Sequence, residues 1–270
     1  MASSGGRLVI TNDAAEANRF VATARAQGIR RVIISGGDDS VRDMLAALLE
    51  SECELGIVPR GTFNNLALAL GLPTDPLEAL ETALHGEARP MDLGRVGGLY
   101  FTESAGVGYL AEAWARAPQP EPTGFRRWIG GIVAASSALL DYQPLRLNLE
   151  IDDGEPETVQ TWDLTLANSP LFANNIAIAP RAVLEDGRLD LTVWPAATPL
   201  EFLSALPNIL GQTIDQVPGL RSRQVQKVRV VSPAEIPLRA DNTVVRGTDF
   251  TFEVLPQALK VVRPPNPGPL

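Results

Sequence analysis

One cysteine and one histidine in 270 residues remove several chemistries at once. Cys53 has no partner for an internal disulfide and cannot by itself build a cysteine metal cluster, as expected for a reducing compartment. His85 alone excludes paired-histidine metal sites and leaves a Ser-His triad unsupported; in Leu84-His85-Gly86 it reads as the exposed end of a helix. Positive charge is also scarce: 23 Lys and Arg against 32 Asp and Glu give a net charge of −9. That argues against nucleic acid, or a generally anionic bilayer, as an electrostatic partner, although a local patch can still serve a lipid substrate. No apolar run reaches membrane-spanning length, and no basic segment precedes a short apolar one in the manner of a signal peptide. The expectation is a cytoplasmic protein whose contact with a membrane, if any, is peripheral. Aromatics make up 6% of the chain, and Trp114, Trp162 and Trp194 read as core or edge residues. The remainder, 45% hydrophobic and 20% charged, is ordinary globular composition in a chain long enough for two domains.

The most informative stretch runs from residue 32 to 73. Val32-Ile33-Ile34 reads as a strand that stops at Ser35-Gly36-Gly37-Asp38, and Val41, Met44, Leu45, Leu48 and Leu49 follow at helical spacing. A second short strand, Leu55-Gly56-Ile57-Val58, runs into Pro59-Arg60-Gly61-Thr62-Phe63-Asn64 and another helix. Two strand-to-helix turns in succession, each with glycine and a hydroxyl residue, suit phosphate binding, because glycine lets the backbone approach an anion closely. Asp38 adds a carboxylate at the strand tip, where a magnesium ion bound to a polyphosphate can sit. Either turn alone is ordinary turn composition; the pair is far more specific.

Helix and strand patterns alternate up to about residue 92, the signature of a parallel α/β sheet. Ala14 to Gln27 reads as a helix ended by Gly28, a second starts at Leu66 and closes at Gly71 and Pro73, and Pro76 to Leu84 follows an Asp75 cap. Beyond residue 93 short β-rich runs dominate: Leu145 to Ile151, Val159 to Ala167, Leu189 to Trp194, Val225 to Val231 and Phe250 to Val254. Several alternate apolar and polar residues, as half-buried antiparallel strands do. One helix is expected from Phe125 to Leu140, behind a proline-rich loop over 117–122; Arg126 and Arg127 beside Trp128 suit either a lipid headgroup or a plain amphipathic helix start.

The paired motifs, Gly-Gly-Asp-x-[Ser/Thr] and Pro-x-Gly-Thr-x-Asn, resemble the diacylglycerol kinase catalytic-domain family and its bacterial lipid-kinase relatives. Sphingosine kinases and the more distant NAD kinases share the first motif; the second, with Ala67 and Gly71-Leu72-Pro73, points to the lipid-kinase branch. Thr11 to Phe20, Met91 to Gly94, Phe101 to Gly108, Ala167-Asn168, Ile178 to Asp190 and Ala258 to Val261 extend the resemblance over nearly the whole chain. It implies an α/β plus all-β fold: a Rossmann-like α/β domain over 1–92, with 258–270 returning to it, and a β-sandwich over 93–257, the active site lying in the cleft between them. It also implies that the family's first β-α unit is absent here. The implied reaction transfers the γ-phosphoryl of ATP to a lipid hydroxyl, in lipid metabolism, with magnesium as cofactor; oligomeric state is left open, a homodimer included. Thr11, Gly36, Gly37, Asp38, Asp39, Ser40, Val41, Arg42, Gly61, Thr62 and Asn64 would hold the nucleotide. A second magnesium would fall on the Val183 and Arg188 carbonyls and the Asp186 carboxylate, unless Leu184-Glu185-Asp186-Gly187 is a plain turn.

Four departures from the family pattern bear on activity. Asp39 stands where the family has glycine, adding charge near the expected phosphates and a Cβ where backbone freedom is used. Arg42-Asp43 replaces an Asn-Glu pair, and Arg42 can meet a phosphate, offset Asp39, or be a solvated helix charge. The first β-α unit, with its own phosphate-side turn, is the third. Most consequentially, the family's late Asp-Gly-Glu, whose glutamate is the proposed general base, reads Asp241-Asn242-Thr243. Threonine cannot accept that proton at neutral pH, and losing a positioned base costs roughly a hundred- to ten-thousand-fold in rate. Asp241 either substitutes or is a turn residue between two strands. Two functions stand: a lipid kinase, or a catalytically silent relative that binds nucleotide or lipid.

Overall fold

The computed structural model describes residues 6–11, 13–116, 139, 142–172, 176–195, 198–205, 207–208 and 213–265. The helix expected over 125–140, with Arg126, Arg127 and Trp128, falls outside these residues but for Leu139, as do the loop over 117–122 and residues 266–270.

The first part is α/β. Helix α1 (Ala14–Ala24) is capped by Asp13, whose carboxylate accepts the Glu16 N–H at 2.8 Å, and it buries Ala17, Val21 and Ala24. A 3₁₀ turn over Arg25–Gln27 completes the helical segment, and Gly28 ends it at φ 79°, a conformation that favours glycine. Strands β1 (Arg31–Gly36) and β2 (Glu54–Pro59) pair in parallel, with Ile34 opposite Ile57. Between them the apolar pattern from Val41 to Leu49 forms two helices, not one: α2 (Asp38–Arg42) and α3 (Leu45–Ser51), interrupted at Asp43-Met44. Val41, Leu45 and Leu48 still reach one core with Val21, Leu55 and Ile57. After β2 come α4 (Asn65–Ala69) and α5 (Pro76–His85), the latter capped by Asp75 through the N–H groups of Leu77 and Glu78.

The rest is largely antiparallel. In order it comprises β3 (Glu87–Val96), β4 (Leu99–Phe101), β5 (Ser104–Gly108), α6 (Tyr109–Ala115), β6 (Leu145–Ile151), β7 (Glu157–Ala167), β8 (Leu171–Phe172), β9 (Ile176–Ala177), β10 (Leu189–Pro195), α7 (Pro199–Ser204), β11 (Arg221–Val225), β12 (Lys227–Ala240) and β13 (Thr243–Arg263). The expected strand over 225–231 is divided, because Gln226 leaves the ladder and gives its N–H to Asp152 at 2.8 Å. Strands β5 and β6 each pair with both β7 and β12, so the sheet closes on itself around a core that includes Leu147, Leu164, Val228 and Phe252.

Two long strands tie the parts together. The end of β13 runs parallel beside β2, Lys260 opposite Glu54 and Val261 opposite Leu55. Strand β3 passes residue 92 without a break and pairs with β13 over nearly its whole length. Asp92, fully buried in β3, accepts the N–H of Gly187 at 2.6 Å and that of Gln257 at 2.7 Å, where β13 kinks between Leu255 and Leu259. One carboxylate thus locks a loop of the sandwich and a bend of β13 to the same point.

Candidate active site

The two glycine turns cross. A Cβ on Gly37 would stand 2.8 Å from the Gly61 Cα, and one on Gly61 would stand 2.5 Å from the Gly37 Cα. Backbone touches backbone here, so glycine is required for close approach rather than for a left-handed φ. The Arg60 N–H donates to the Gly36 carbonyl at 2.9 Å, and the Ser40 side chain folds onto Gly36. Asn64, at φ 54°, braces the second turn with both ends of its amide: Oδ1 accepts the Gly61 N–H at 2.7 Å and Nδ2 donates to the Gly61 carbonyl at 3.0 Å. Asn64 was expected to touch nucleotide; these two bonds tie its amide to the turn.

Asp38 joins the turns from the other side. Its two oxygens accept the N–H groups of Asn65 and Leu66, at 3.0 and 3.1 Å, so the start of α2 holds the start of α4. Burial raises its proton affinity, the two N–H groups lower it, and Asp241 and Asp39 raise it further.

Asp39 lies within α2 and is not among the residues with positive φ, so the added Cβ meets no demand there for glycine's backbone freedom. Its Oδ1 accepts from Arg42 at 2.7 Å and from the Asn242 amide at 2.8 Å. Arg42 therefore offsets Asp39, and its guanidinium also pairs with Asp43 at 2.8 Å. Val41, expected near nucleotide, points into the apolar core, 2% exposed. Thr62 and Gly61 are exposed at the crossing, while Thr11 lies two residues before the Asp13 cap of α1.

Opposite the turns lies a buried ionic cluster. Asp241, in the two-residue turn joining β12 to β13 at φ 46°, is 6% exposed. Its carboxylate accepts four donors: the N–H groups of Thr102, Glu103 and Ser104 at 2.9 to 3.0 Å and the Thr102 hydroxyl at 3.2 Å. It is a clamp on the β4–β5 connection, with both oxygens occupied. Arg239, fully buried in β12, donates to the Asp241 carbonyl at 2.9 Å, and to the carbonyl and hydroxyl of Ser104 at 3.3 and 3.0 Å. Its guanidinium lies 4.4 Å from the Phe172 ring centre and 5.6 Å from that of Trp114. Burial weakens the hold of Arg239 on its proton, and Asp163, Asp241 and Glu103 oppose this only in part.

No sequence motif singles out Glu103, which the fold brings into this cluster. It is 7% exposed, and one of its oxygens accepts the Asn65 amide at 3.1 Å. Burial, then Asp241 and Asp38, push its carboxyl well above the usual carboxylate range, against a smaller opposing pull from Arg239. The available signal was a single carboxylate in an apolar and small-residue run, Leu99-Tyr100-Phe101-Thr102-Glu103-Ser104-Ala105-Gly106-Val107. Thr243 sits half-buried at the first position of β13, opposite Ala240.

The expected second metal site lies on the turn that precedes β10. Asp186 accepts the Arg188 N–H at 3.0 Å and the Gln224 amide at 2.7 Å, and Val183 is 50% exposed. Among the described residues no three His, Cys, Asp or Glu side chains are arranged to hold a metal ion. One exposed carboxylate with carbonyls is a sparse donor set for magnesium.

Comparison with known proteins agrees with this architecture. Residues 3–96 match the diacylglycerol kinase catalytic domain, and residues 110–263 match the YegS C-terminal NAD kinase beta sandwich-like domain. A probable lipid kinase YegS-like protein of Chromohalobacter salexigens is 30% identical over 262 residues, 94% of this chain and 83% of that protein. A diacylglycerol kinase of Mycobacterium tuberculosis is 30% identical over 266 residues, covering 95% and 84%. The crystal structure of a putative diacylglycerol kinase from Bacillus anthracis superposes with a TM-score of 0.74 at 17% identity, over 94% of this chain and 85% of that one. Crossed glycine turns on parallel strands, a sandwich behind them and relatives matched over nearly the full chain have one reading: the chain belongs to the diacylglycerol kinase family, among the YegS-like lipid kinases.

Proposed function

We propose that the protein transfers the γ-phosphoryl group of ATP to the hydroxyl of a lipid, with diacylglycerol the first substrate to try. The observation that carries this reading is the crossing of the Gly36-Gly37 and Gly61-Thr62 turns opposite a buried carboxylate cluster. The absence of Cβ atoms lets the two backbones meet at the crossing, where the Ser40 side chain lies against Gly36 and Gly61 and Thr62 are exposed. The relatives' names, lipid kinase and diacylglycerol kinase, support the substrate class.

Magnesium fits as the counter-ion that arrives with the nucleotide. Asp241 raises the proton affinity of both Asp38 and Glu103, and Asp38 raises that of Glu103, which marks excess negative charge with Arg239 as the buried cation among them. Asp38, at the start of α2 beside the turns, would hold the ion. Bound there, magnesium neutralises phosphate charge. The chain's own residues position the phosphates, keep α4 and α2 in register through Asp38, and present a hydroxyl-bearing substrate to the cluster. Among the described residues no helix is long and apolar enough to cross a membrane, so we propose that lipid is met at a membrane surface.

The silent-binder reading draws on Thr243 and on the occupied Asp241. Incubation with radiolabelled ATP, magnesium and a panel of lipid hydroxyls in detergent micelles, with Mg-ATP binding followed in parallel, separates the two. Labelled lipid supports the kinase; binding of Mg-ATP without labelled product on any lipid supports the binder.

A further inference from the structure

Four carboxylates meet where the glycine turns face the β12–β13 turn, and they are not equally available. Asp241 has both oxygens taken by four donors. Asp38 gives each oxygen to a backbone N–H of α4. Asp39 is neutralised by Arg42 and tied to Asn242. Glu103 accepts a single hydrogen bond, from the neutral Asn65 amide, and its other oxygen receives none from the described residues.

The backbone around Glu103 is fixed on every side. Asp241 holds its N–H and those of both neighbours; the Glu103 carbonyl accepts the N–H groups of Asn168 at 2.9 Å and Ser169 at 3.1 Å; and the Asn168 side-chain amide donates to the Thr102 carbonyl at 3.1 Å. A carboxylate with a spare oxygen, on an immobilised bend beside the nucleotide turns, meets the geometric demand on a positioned base.

We propose that Glu103 is the catalytic base of this chain, its free oxygen taking the proton of the lipid hydroxyl as that hydroxyl attacks the γ-phosphorus. The new bond joins the lipid oxygen to phosphorus. The bond from phosphorus to the β,γ-bridging oxygen breaks, its electron pair leaves with ADP, and the proton resides on Glu103. The proposal rests on the kinase reading above. The ionisable groups around Glu103 are Asp38 from α2, Asp241 from the β12–β13 turn and Arg239 from β12; the two aspartates favour its protonation and the arginine opposes it. Burial and the two aspartates thus make its carboxylate a stronger proton acceptor than an exposed one, and its spare oxygen is where the proton would land.

The test uses the full chain with Mg-ATP and a short-chain diacylglycerol in detergent micelles. Glu103→Gln keeps the shape and can still accept from Asn65. We expect kcat to fall by about a hundred- to ten-thousand-fold, with the Mg-ATP Kd, magnesium requirement and melting temperature unchanged. Wild-type kcat should fall as pH drops through the raised Glu103 value, and the variant should lack that limb. Glu103→Asp, which draws the carboxylate back by one methylene, should retain the limb at reduced kcat, and it carries the test if the glutamine variant does not fold. A variant kcat within about tenfold of wild type overturns the proposal. A shift in magnesium requirement as large as the loss in kcat also overturns it and makes Glu103 a metal ligand. A wild type that binds Mg-ATP yet phosphorylates no lipid sinks the kinase reading, and this proposal with it.

Discussion

The Asn242 side-chain amide donates a 2.8 Å hydrogen bond to Asp39, linking the turn between β12 and β13 to the helix that follows the first glycine turn. The residues are 203 positions apart in sequence, and their bond bridges the α/β part to the sandwich. Asp39, a departure from the family motif, is therefore a structural tie, with Arg42 on the same oxygen. Its negative charge still lies close to the expected phosphates.

Asp39→Asn separates the tie from the charge. The amide oxygen can keep the bond to Asn242, while Arg42 is left paired with Asp43 and one negative charge fewer stands beside the turns. We expect Mg-ATP to bind about five-fold more tightly, the scale of one partly screened charge at effective dielectric near 20, with no loss of thermal stability. Calorimetric titration checks it; weaker binding would mean that Asp39 contacts the nucleotide's magnesium.

The glycine crossing makes a sharper demand. Gly37→Ala or Gly61→Ala puts a methyl group within 2.8 Å of the facing backbone, and at Gly61 also within 2.8 Å of the Asn64 Oδ1. Backbone cannot yield as a flexible side chain would, so the turns must part. Each variant should lose about 1–3 kcal/mol of stability, the usual cost of overpacking, and bind Mg-ATP at least tenfold more weakly. Urea titration with parallel nucleotide binding decides; a variant with wild-type affinity removes the crossing from the nucleotide site.

Much of this was legible in the sequence, and the rest was hidden for identifiable reasons. Parallel strands, their glycine turns and the later antiparallel strands follow from apolar periodicity and turn chemistry, which are local. The roles of Asn64, Asp39 and Asp241 are not local. Asn64 reads as a ligand until its amide is seen on Gly61; Asp39 reads as damage until Asn242 arrives from the far end of the chain. Asp241 reads as a candidate base, but its four donors all come from 102–104. Glu103 gave a weak signal because one buried acid in a strand-rich run looks like a turn residue. Only the fold sets it against Asn65, Asp38 and Asp241.

Asp241→Ala tests the clamp. It strips three backbone N–H groups and the Thr102 hydroxyl of their acceptor and leaves Arg239 with less negative charge around it. The expected loss is about 3 kcal/mol or more, in line with uncompensated buried polar groups, read as a shift in urea midpoint with unchanged slope. Thr243→Glu, by contrast, should not raise kcat if Glu103 is the base. A gain of about a hundredfold would return the base to position 243.

Asp163 offers a pH-dependent readout away from the reacting atoms. It is 2% exposed in β7, accepts the Leu110 N–H and the Thr165 hydroxyl, each at 2.8 Å, and burial raises its pKa from 3.8 to about 6. A carboxyl with a raised folded-state pKa binds its proton more tightly when folded. Its favourable contribution is therefore complete below pH 3.8 and is lost as pH rises through about 6. A shift of this size corresponds to about 3 kcal/mol, taking about 1.4 kcal/mol per pH unit. Asp163→Asn removes the titration and keeps an oxygen for the Leu110 N–H. Relative to this variant, wild type should lose about that much stability between pH 4 and 7. Urea unfolding of both proteins across the range measures the difference directly. A constant difference would show Asp163 ionised throughout, with Arg239 close enough to stabilise its charge in the interior.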